Sequence, residues 1–248
     1  MNIQNKTVVI TGGSDGLGLS LTKLLISKGS TVHVVGRNQE RLDKAKAEIN
    51  SPNLYTHKGD VSNYSQISDI YNQIGNIDIL INSAGIWLEG QVVDNSPQQI
   101  SDTIDINLKG LIYSTKAVLP IMLKNCDGVI FNISSTSGIK AKGMQAVYAA
   151  SKYGVRGFTE SLEQDLEKTN IKVFGFYPGG MATGLFSKSG NDKPNSDWMD
   201  TAKVAEIIVF MIERDDSLIM NHVILNKRQT KTSNSIPTTP HLFSSSVL

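Results

Sequence analysis

Cysteine is nearly absent from this chain. The single one, Cys126, excludes an internal disulfide framework and a cysteine-rich zinc site, and it fits a reducing compartment. Long apolar runs are missing too: none approaches the roughly 18 to 20 residues that a membrane span requires. The run Val8, Val9, Ile10 ends in glycines, too short for the core of a signal peptide, and reads as a buried strand. Charge of one sign is not in excess. With 24 basic and 23 acidic residues the formal net charge is +1, which supplies no basic footprint for nucleic acid and no acidic tail. The 4 histidines lack ligand spacing, with His33 in a strand and His241 in the tail, so no metal site is expected. A cytoplasmic protein that binds neither a membrane nor a nucleic acid is expected.

The composition of the 248 residues, 40% hydrophobic and 19% charged, is that of a globular protein with a substantial core. Short β-branched apolar runs recur at 7–11, 31–35, 77–81, 128–133 and 171–176, with a weaker one at 222–225. Their near-continuous apolar character suits parallel strands covered on both faces. Between them the pattern predicts helices over 17–27, 39–50, 62–74, 97–124, 147–168 and 201–214. Pro97 suits a first helical turn, with Ser96 before it as a cap. This alternation predicts an α/β fold: a Rossmann-like, doubly wound parallel sheet of six to seven strands in one domain, residues 1–228. Residues 183–200 interrupt the pattern with glycine, serine and Pro194 beside Phe186, Trp198 and Met199, and read as a loop covering a substrate. Residues 229–248, rich in serine and threonine, read as a polar, disordered tail.

The chemistry begins at the first turn. Thr11-Gly12-Gly13-Ser14-Asp15-Gly16-Leu17-Gly18 leaves a strand and opens a helix. Gly12 permits the tight turn, Gly16 lets backbone approach a pyrophosphate, and Gly18 lets helix and strand pack closely. The helix start then offers unpaired N–H groups to phosphates. After the second strand, where an NAD site carries an acid for the ribose 2′-hydroxyl, the chain reads Gly36-Arg37-Asn38. A guanidinium matches a 2′-phosphate, and Ser14 could add a donor, although Asp15 opposes one mildly. NADP(H) is therefore the preferred cofactor, with NAD(H) possible.

Further on, Tyr148 and Lys152 stand four apart in a predicted helix, on one face. A fixed cation beside a phenol favours the phenolate, and a phenol tuned in this way can pass a proton to or from a carbonyl or alcohol oxygen. By itself the pair also fits an aromatic core contact beside a solvated lysine. Ser135 ends a predicted strand at the carboxyl edge of the sheet, where ligands bind in open α/β folds.

With these motifs in order, the chain resembles the main branch of the short-chain dehydrogenase/reductases over residues 5–185. The resemblance implies that Asp60 and Val61 hold the adenine. Asn82-Ser83-Ala84-Gly85 resembles the family's Asn-Asn-Ala-Gly motif beside the cofactor, so Asn82, Ala84 and Gly85 join the cofactor site. Pro178, Gly179, Met181 and Thr183 fall on the motif that grips the nicotinamide carboxamide. Catalysis is implied for Asn107, Ser135, Tyr148 and Lys152: Asn107 holds a water leading from Lys152 to solvent, and Lys152 also bonds the nicotinamide ribose. Hydride passes directly between nicotinamide and substrate carbon, so an NADP(H)-dependent carbonyl reductase, reversible as an alcohol dehydrogenase, is expected. Trp87, Met144, Met181, Phe186, Trp198 and Met199 are expected to line an apolar substrate pocket. The family's glycine-rich last strand is absent from 222–228, which favours a homodimer over a homotetramer. Two rivals keep the fold: a 3-oxoacyl-thioester reductase of lipid synthesis, and a non-catalytic NADP-binding relative, which would typically lose the tyrosine or lysine retained here.

Overall fold

A computed structural model describes residues 1–185, 198–214 and 218–228. Seven strands form one sheet: β1 (Thr7–Thr11), β2 (Thr31–Gly36), β3 (Leu54–Lys58), β4 (Ile79–Asn82), β5 (Gly128–Ile133), β6 (Ile171–Pro178) and β7 (His222–Leu225). Their spatial order is β3-β2-β1-β4-β5-β6-β7, with every neighbouring pair parallel. The helices are α1 (Gly16–Ser27), α2 (Gln39–Ile49), α3 (Tyr64–Ile74), α4 (Pro97–Ile104), α5 (Gly110–Asn125), α6 (Ala146–Asp165) and α7 (Thr201–Glu213). No helix among the described residues is long and apolar enough to cross a membrane.

Alternate residues of each strand feed two cores. Val8, Ile10, Val32, Val34, Ile79 and Ile81 pack beneath α1, α2 and α7, with Leu21, Leu25, Leu42 and Ile208. Val9, Val35, Leu80, Ile130 and Val173 pack on the other face with Ile67 and Tyr71 of α3, Met122 of α5 and Leu162 of α6. Burial on both faces is why the central strands read as unbroken apolar runs.

Two expectations need correction. The strand β3 lies outside the apolar runs read from the sequence, because it is an edge strand in which only Leu54 is buried. The helix expected over 97–124 is not continuous: a π-helical turn, Asp105–Lys109, separates α4 from α5. A single π turn of this length is too short to carry a hydrophobic period of its own, so the spacing does not reveal it. The start of α4 does follow the sequence, with a Ser96/Gln99 capping box and Pro97 in the first turn.

The chain order reverses between β1 and β4, and in parallel sheets the crevice outside the strand ends at such a point is the usual ligand site. A buried polar ladder fixes the helices around it. Asn82 Nδ2 donates to Asn132 Oδ1 across the strands (2.9 Å) and to Thr115 Oγ1 of α5 (3.2 Å), while Asn132 Nδ2 donates to Thr159 Oγ1 of α6 (3.0 Å). Buried amides of this kind are costly unless paired, so the pairing specifies how α5 and α6 sit against β4 and β5.

Candidate active site

A cleft of about 1210 Å³ opens at the carboxyl edge of the sheet. Its walls are the residues at and just beyond successive strand ends: Gly12 and Ser14 to Gly18 at β1, Gly36 and Arg37 at β2, Ala84 to Trp87 at β4, Ser134 and Ser135 at β5, and Pro178 to Met181 at β6.

At the glycine turn, φ of Gly12 is 72°, and an added Cβ would come within 2.9 Å of the Ala84 Cα. A Cβ on Gly18 would collide with the Gly12 carbonyl. Both positions therefore exclude a side chain, one by conformation and contact, the other by contact alone. Gly12 N donates to Val35 O (2.8 Å), and Thr11 Oγ1 accepts from the N–H groups of Ser83 and Ala84 (both 3.2 Å). These bonds bring the ends of β1, β2 and β4 together. The cradle fits a nicotinamide dinucleotide: bare backbone, the start of α1, and Thr183 Cγ2 only 3.0 Å from where a Cβ on Gly16 would stand.

At the far end Gly36 is the last residue of β2, with Ser14 Oγ 3.6 Å from its added Cβ. Arg37 reaches Asp60 (Nη1 to Oδ2, 3.7 Å), and Arg41, in the first turn of α2, reaches Asp15 at the same distance. Arg41 lines the cleft and was not singled out from the sequence. It is the third residue of the helix that follows Arg37, and nothing in its spacing set it apart from other exposed basic residues.

The other end gathers the groups suited to proton transfer. Tyr148 and Lys152 lie on α6, both buried, and Ser135 ends the segment after β5. Lys152 Nζ stands 5.8 Å from the centre of the Tyr148 ring and donates to Ile133 O (3.2 Å). The Lys152 carbonyl accepts from Ser134 Oγ (3.0 Å), so the end of β5 grips this residue twice. Trp87 packs on Tyr148 with ring centres 4.4 Å apart.

The titration of this pair differs from expectation. Burial pushes Tyr148 up to about 12, opposed by a hydrogen bond with Ser135. Burial also pushes Lys152 down to about 8. Desolvation is the largest influence on both groups: it disfavours the phenolate of Tyr148 and the ammonium of Lys152 alike.

Of the residues expected to bind cofactor, Gly12, Ser14, Gly16, Leu17, Gly18, Arg37, Val61, Ala84, Gly85, Tyr148, Lys152, Pro178, Gly179, Met181 and Thr183 line the cleft. Two do not. Asn82 is buried in the polar ladder beneath it, and Asp60 turns its carboxylate to Ser62 (N 2.9 Å, Oγ 2.7 Å) and Arg37. Asn107 also stands behind the wall. Its Oδ1 accepts from Ile86 N (2.7 Å), and its Nδ2 donates to Ile86 O (2.9 Å) and Ser151 Oγ (3.1 Å). The side chain thus clamps the cleft-lining strand end instead of facing the cleft. Trp87, Met181 and Trp198 line the substrate end, whereas Met144 is exposed outside it and Met199 belongs to the core. Phe186 lies outside the described residues, as do most of 183–200 and the tail 229–248.

The family described as short chain dehydrogenase matches residues 6–194. An uncharacterized oxidoreductase of Staphylococcus epidermidis is 32% identical over 227 residues, spanning 90% of this chain and 97% of its own. Among solved structures, the closed form of a serine dehydrogenase complexed with NADP+ superposes with a TM-score of 0.85 at 31% identity, covering 93% of this chain and 98% of that one. An actinorhodin polyketide ketoreductase with NADPH gives a TM-score of 0.81 at 25% identity, over 90% and 96% of the two chains.

Proposed function

The chain belongs to the short-chain dehydrogenase family, and from that premise we propose an NADP(H)-dependent oxidoreductase that interconverts a carbonyl and a secondary alcohol. The observation that carries this reading is the convergence of Ser135, Tyr148 and Lys152 on the same cleft as the glycine turn.

The bound dinucleotide supplies or removes the hydride. The remaining work falls to side chains of this chain. Ser135 and Tyr148 donate to the substrate oxygen and hold the carbonyl in place. In reduction, Tyr148 then releases its hydroxyl proton to the oxygen as it becomes an alkoxide, leaving a phenolate. With its titration pushed up to about 12, the phenol carries that proton throughout the neutral range. The Lys152 ammonium, still the majority form below pH 8, offsets the phenolate charge as it forms. In the oxidative direction the phenolate must take the alcohol proton, so that direction gains rate as pH rises.

Ser14, Arg37 and Arg41 support NADP over NAD. The exposed ion pairs Arg37–Asp60 and Arg41–Asp15, at 3.7 Å, are each worth about 0–1 kcal/mol at most. A doubly charged phosphate, which a guanidinium can meet bidentately, would displace them readily.

The test is a panel of ketones and secondary alcohols run with both coenzymes. NADPH should exceed NADH by about tenfold or more in kcat/KM, and Arg37→Ala should reduce that ratio about tenfold. A tenfold preference for NADH, or an unchanged ratio in the variant, contradicts the NADP reading.

A further inference from the structure

The charged residues lining the cleft are unbalanced. Among the described residues that line it, Asp15 is the one acid, against Arg37, Arg41, Lys142, Lys152 and Lys227, in a chain whose formal net charge is +1. Arg37 and Arg41 stand at the end assigned to the 2′-phosphate, and Lys152 lies buried against Tyr148. Lys142 has no part in that reading. It sits in the loop between β5 and α6, and no hydrogen bond or ion pair engages its side chain among the described residues. A lysine on an exposed loop is ordinarily a solvated charge, so a second observation has to give it meaning.

Gln145 supplies that observation. It is the residue before α6, only 8% exposed, and it too lines the cleft. Its Oε1 accepts from Ser137 Oγ (3.1 Å), which fixes the amide's orientation. The Nε2 group is left with two N–H donors, and no acceptor engages it among the described residues. That nitrogen is not among the buried atoms without a partner, so its donors are open to the cleft and to a ligand there. Gln145 stands three residues before Tyr148, at the start of the helix that carries it, and both line the cleft.

Lys142, Gln145, Ser135 and Tyr148 all line the same cleft with donors to present, while Asp15, the one acid among its described lining residues, belongs to the glycine turn. A ligand matched to such a set is rich in acceptors, and a carboxylate offers acceptors only. Trp87, Met181 and Trp198 lower the local dielectric, which strengthens an ammonium–carboxylate pair relative to open water.

We propose that the substrate is a short oxo acid, with the corresponding hydroxy acid in the reverse direction. Its carboxylate is held by Lys142 Nζ and Gln145 Nε2 while its carbonyl oxygen meets Ser135 and Tyr148. This rests on the carbonyl-reductase reading above and narrows its substrate class. A neutral ketone, or an acyl thioester with no carboxylate near the carbonyl, would leave the Gln145 donors and the Lys142 charge unmatched.

The test uses the full chain with NADPH and matched pairs: acetoacetate against methyl acetoacetate, and pyruvate against methyl pyruvate, with acetoacetyl thioester as a further arm. For at least one pair the acid should exceed its ester by about tenfold in kcat/KM. Lys142→Glu should cut that acid-to-ester ratio by about thirtyfold, mainly through KM of the acid, and Lys142→Arg should restore most of it. Folding and cofactor loading of each variant are read by tryptophan fluorescence, since the chain's 2 tryptophans, Trp87 and Trp198, both line the cleft. Esters or the thioester turned over as well as the acids, or a ratio unmoved by Lys142→Glu, would overturn the oxo-acid assignment and leave the reductase standing. No turnover of any substrate would remove both.

Discussion

Lys152 and Tyr148 are titrated by the same burial in opposite senses, and this has a measurable effect on stability. The ammonium of Lys152 falls from its ordinary 10.5 to about 8 on folding. Between those values the unfolded chain holds the proton and the folded chain does not, so stability rises with pH across that window. Below pH 8 the folded protein carries the whole cost of a buried cation, about 3 kcal/mol for such a shift. Lys152→Met should therefore stabilise the protein at pH 7 by about 1–3 kcal/mol, less the lost bond to Ile133 O, and the gain should fade toward pH 10. Chemical denaturation at the two pH values checks this. A variant equally destabilised at both would show that Lys152 is not charged against its surroundings. Tyr148, pushed up to about 12, acts in the other direction, removing stability only above its ordinary 10.0. The sequence made the pairing of these side chains legible through their spacing. It could not tell which influence governs the phenol, because burial depends on what α6 packs against.

Among the elements, the π-helical turn Asp105–Lys109 and its Asn107 matter most to the site. The wider turn brings the Asn107 amide to both backbone groups of Ile86 and to Ser151 Oγ, whose own hydroxyl donates to Tyr148 O (2.7 Å). One side chain thereby ties the cleft wall after β4 to the helix carrying Tyr148. Asn107→Ala leaves the N–H and carbonyl of Ile86 without these partners, and should cost about 2–4 kcal/mol in urea unfolding together with weaker NADPH binding. A loss below about 0.5 kcal/mol with unchanged binding would contradict the clamp. The turn itself was not legible, since a single turn is too short to show a period of its own between 97 and 124. The strand β3 was missed for a different reason: Leu54, Tyr55, Thr56, His57 and Lys58 form a half-solvated edge, with His33, Tyr55 and His57 stacked on one another in place of an apolar run. Central strands were legible because burial on both faces demands apolar residues at every position.

For the whole molecule, the cleft exists only because seven parallel strands end at the same edge. Residues far apart in the chain, from Gly12 to Lys227, face one volume, and each loop contributes a part of the site. The glycine turn, Ser135, Tyr148 and Lys152 could be read from sequence because their chemistry forces fixed spacings. Arg41, Lys142 and Gln145 could not be ranked above other polar residues, since their meaning comes from which volume they face. The central claim is that this cleft binds NADPH at one end and that Tyr148 transfers the proton at the other. Tyr148→Phe separates the two, because it keeps the ring against Trp87 and deletes only the hydroxyl. The decisive measurement is single-turnover carbonyl reduction by this variant, with NADPH binding followed by tryptophan fluorescence. The account predicts binding within about threefold of the parent and reduction slowed by about 10²–10⁴-fold; reduction at the parental rate would contradict it.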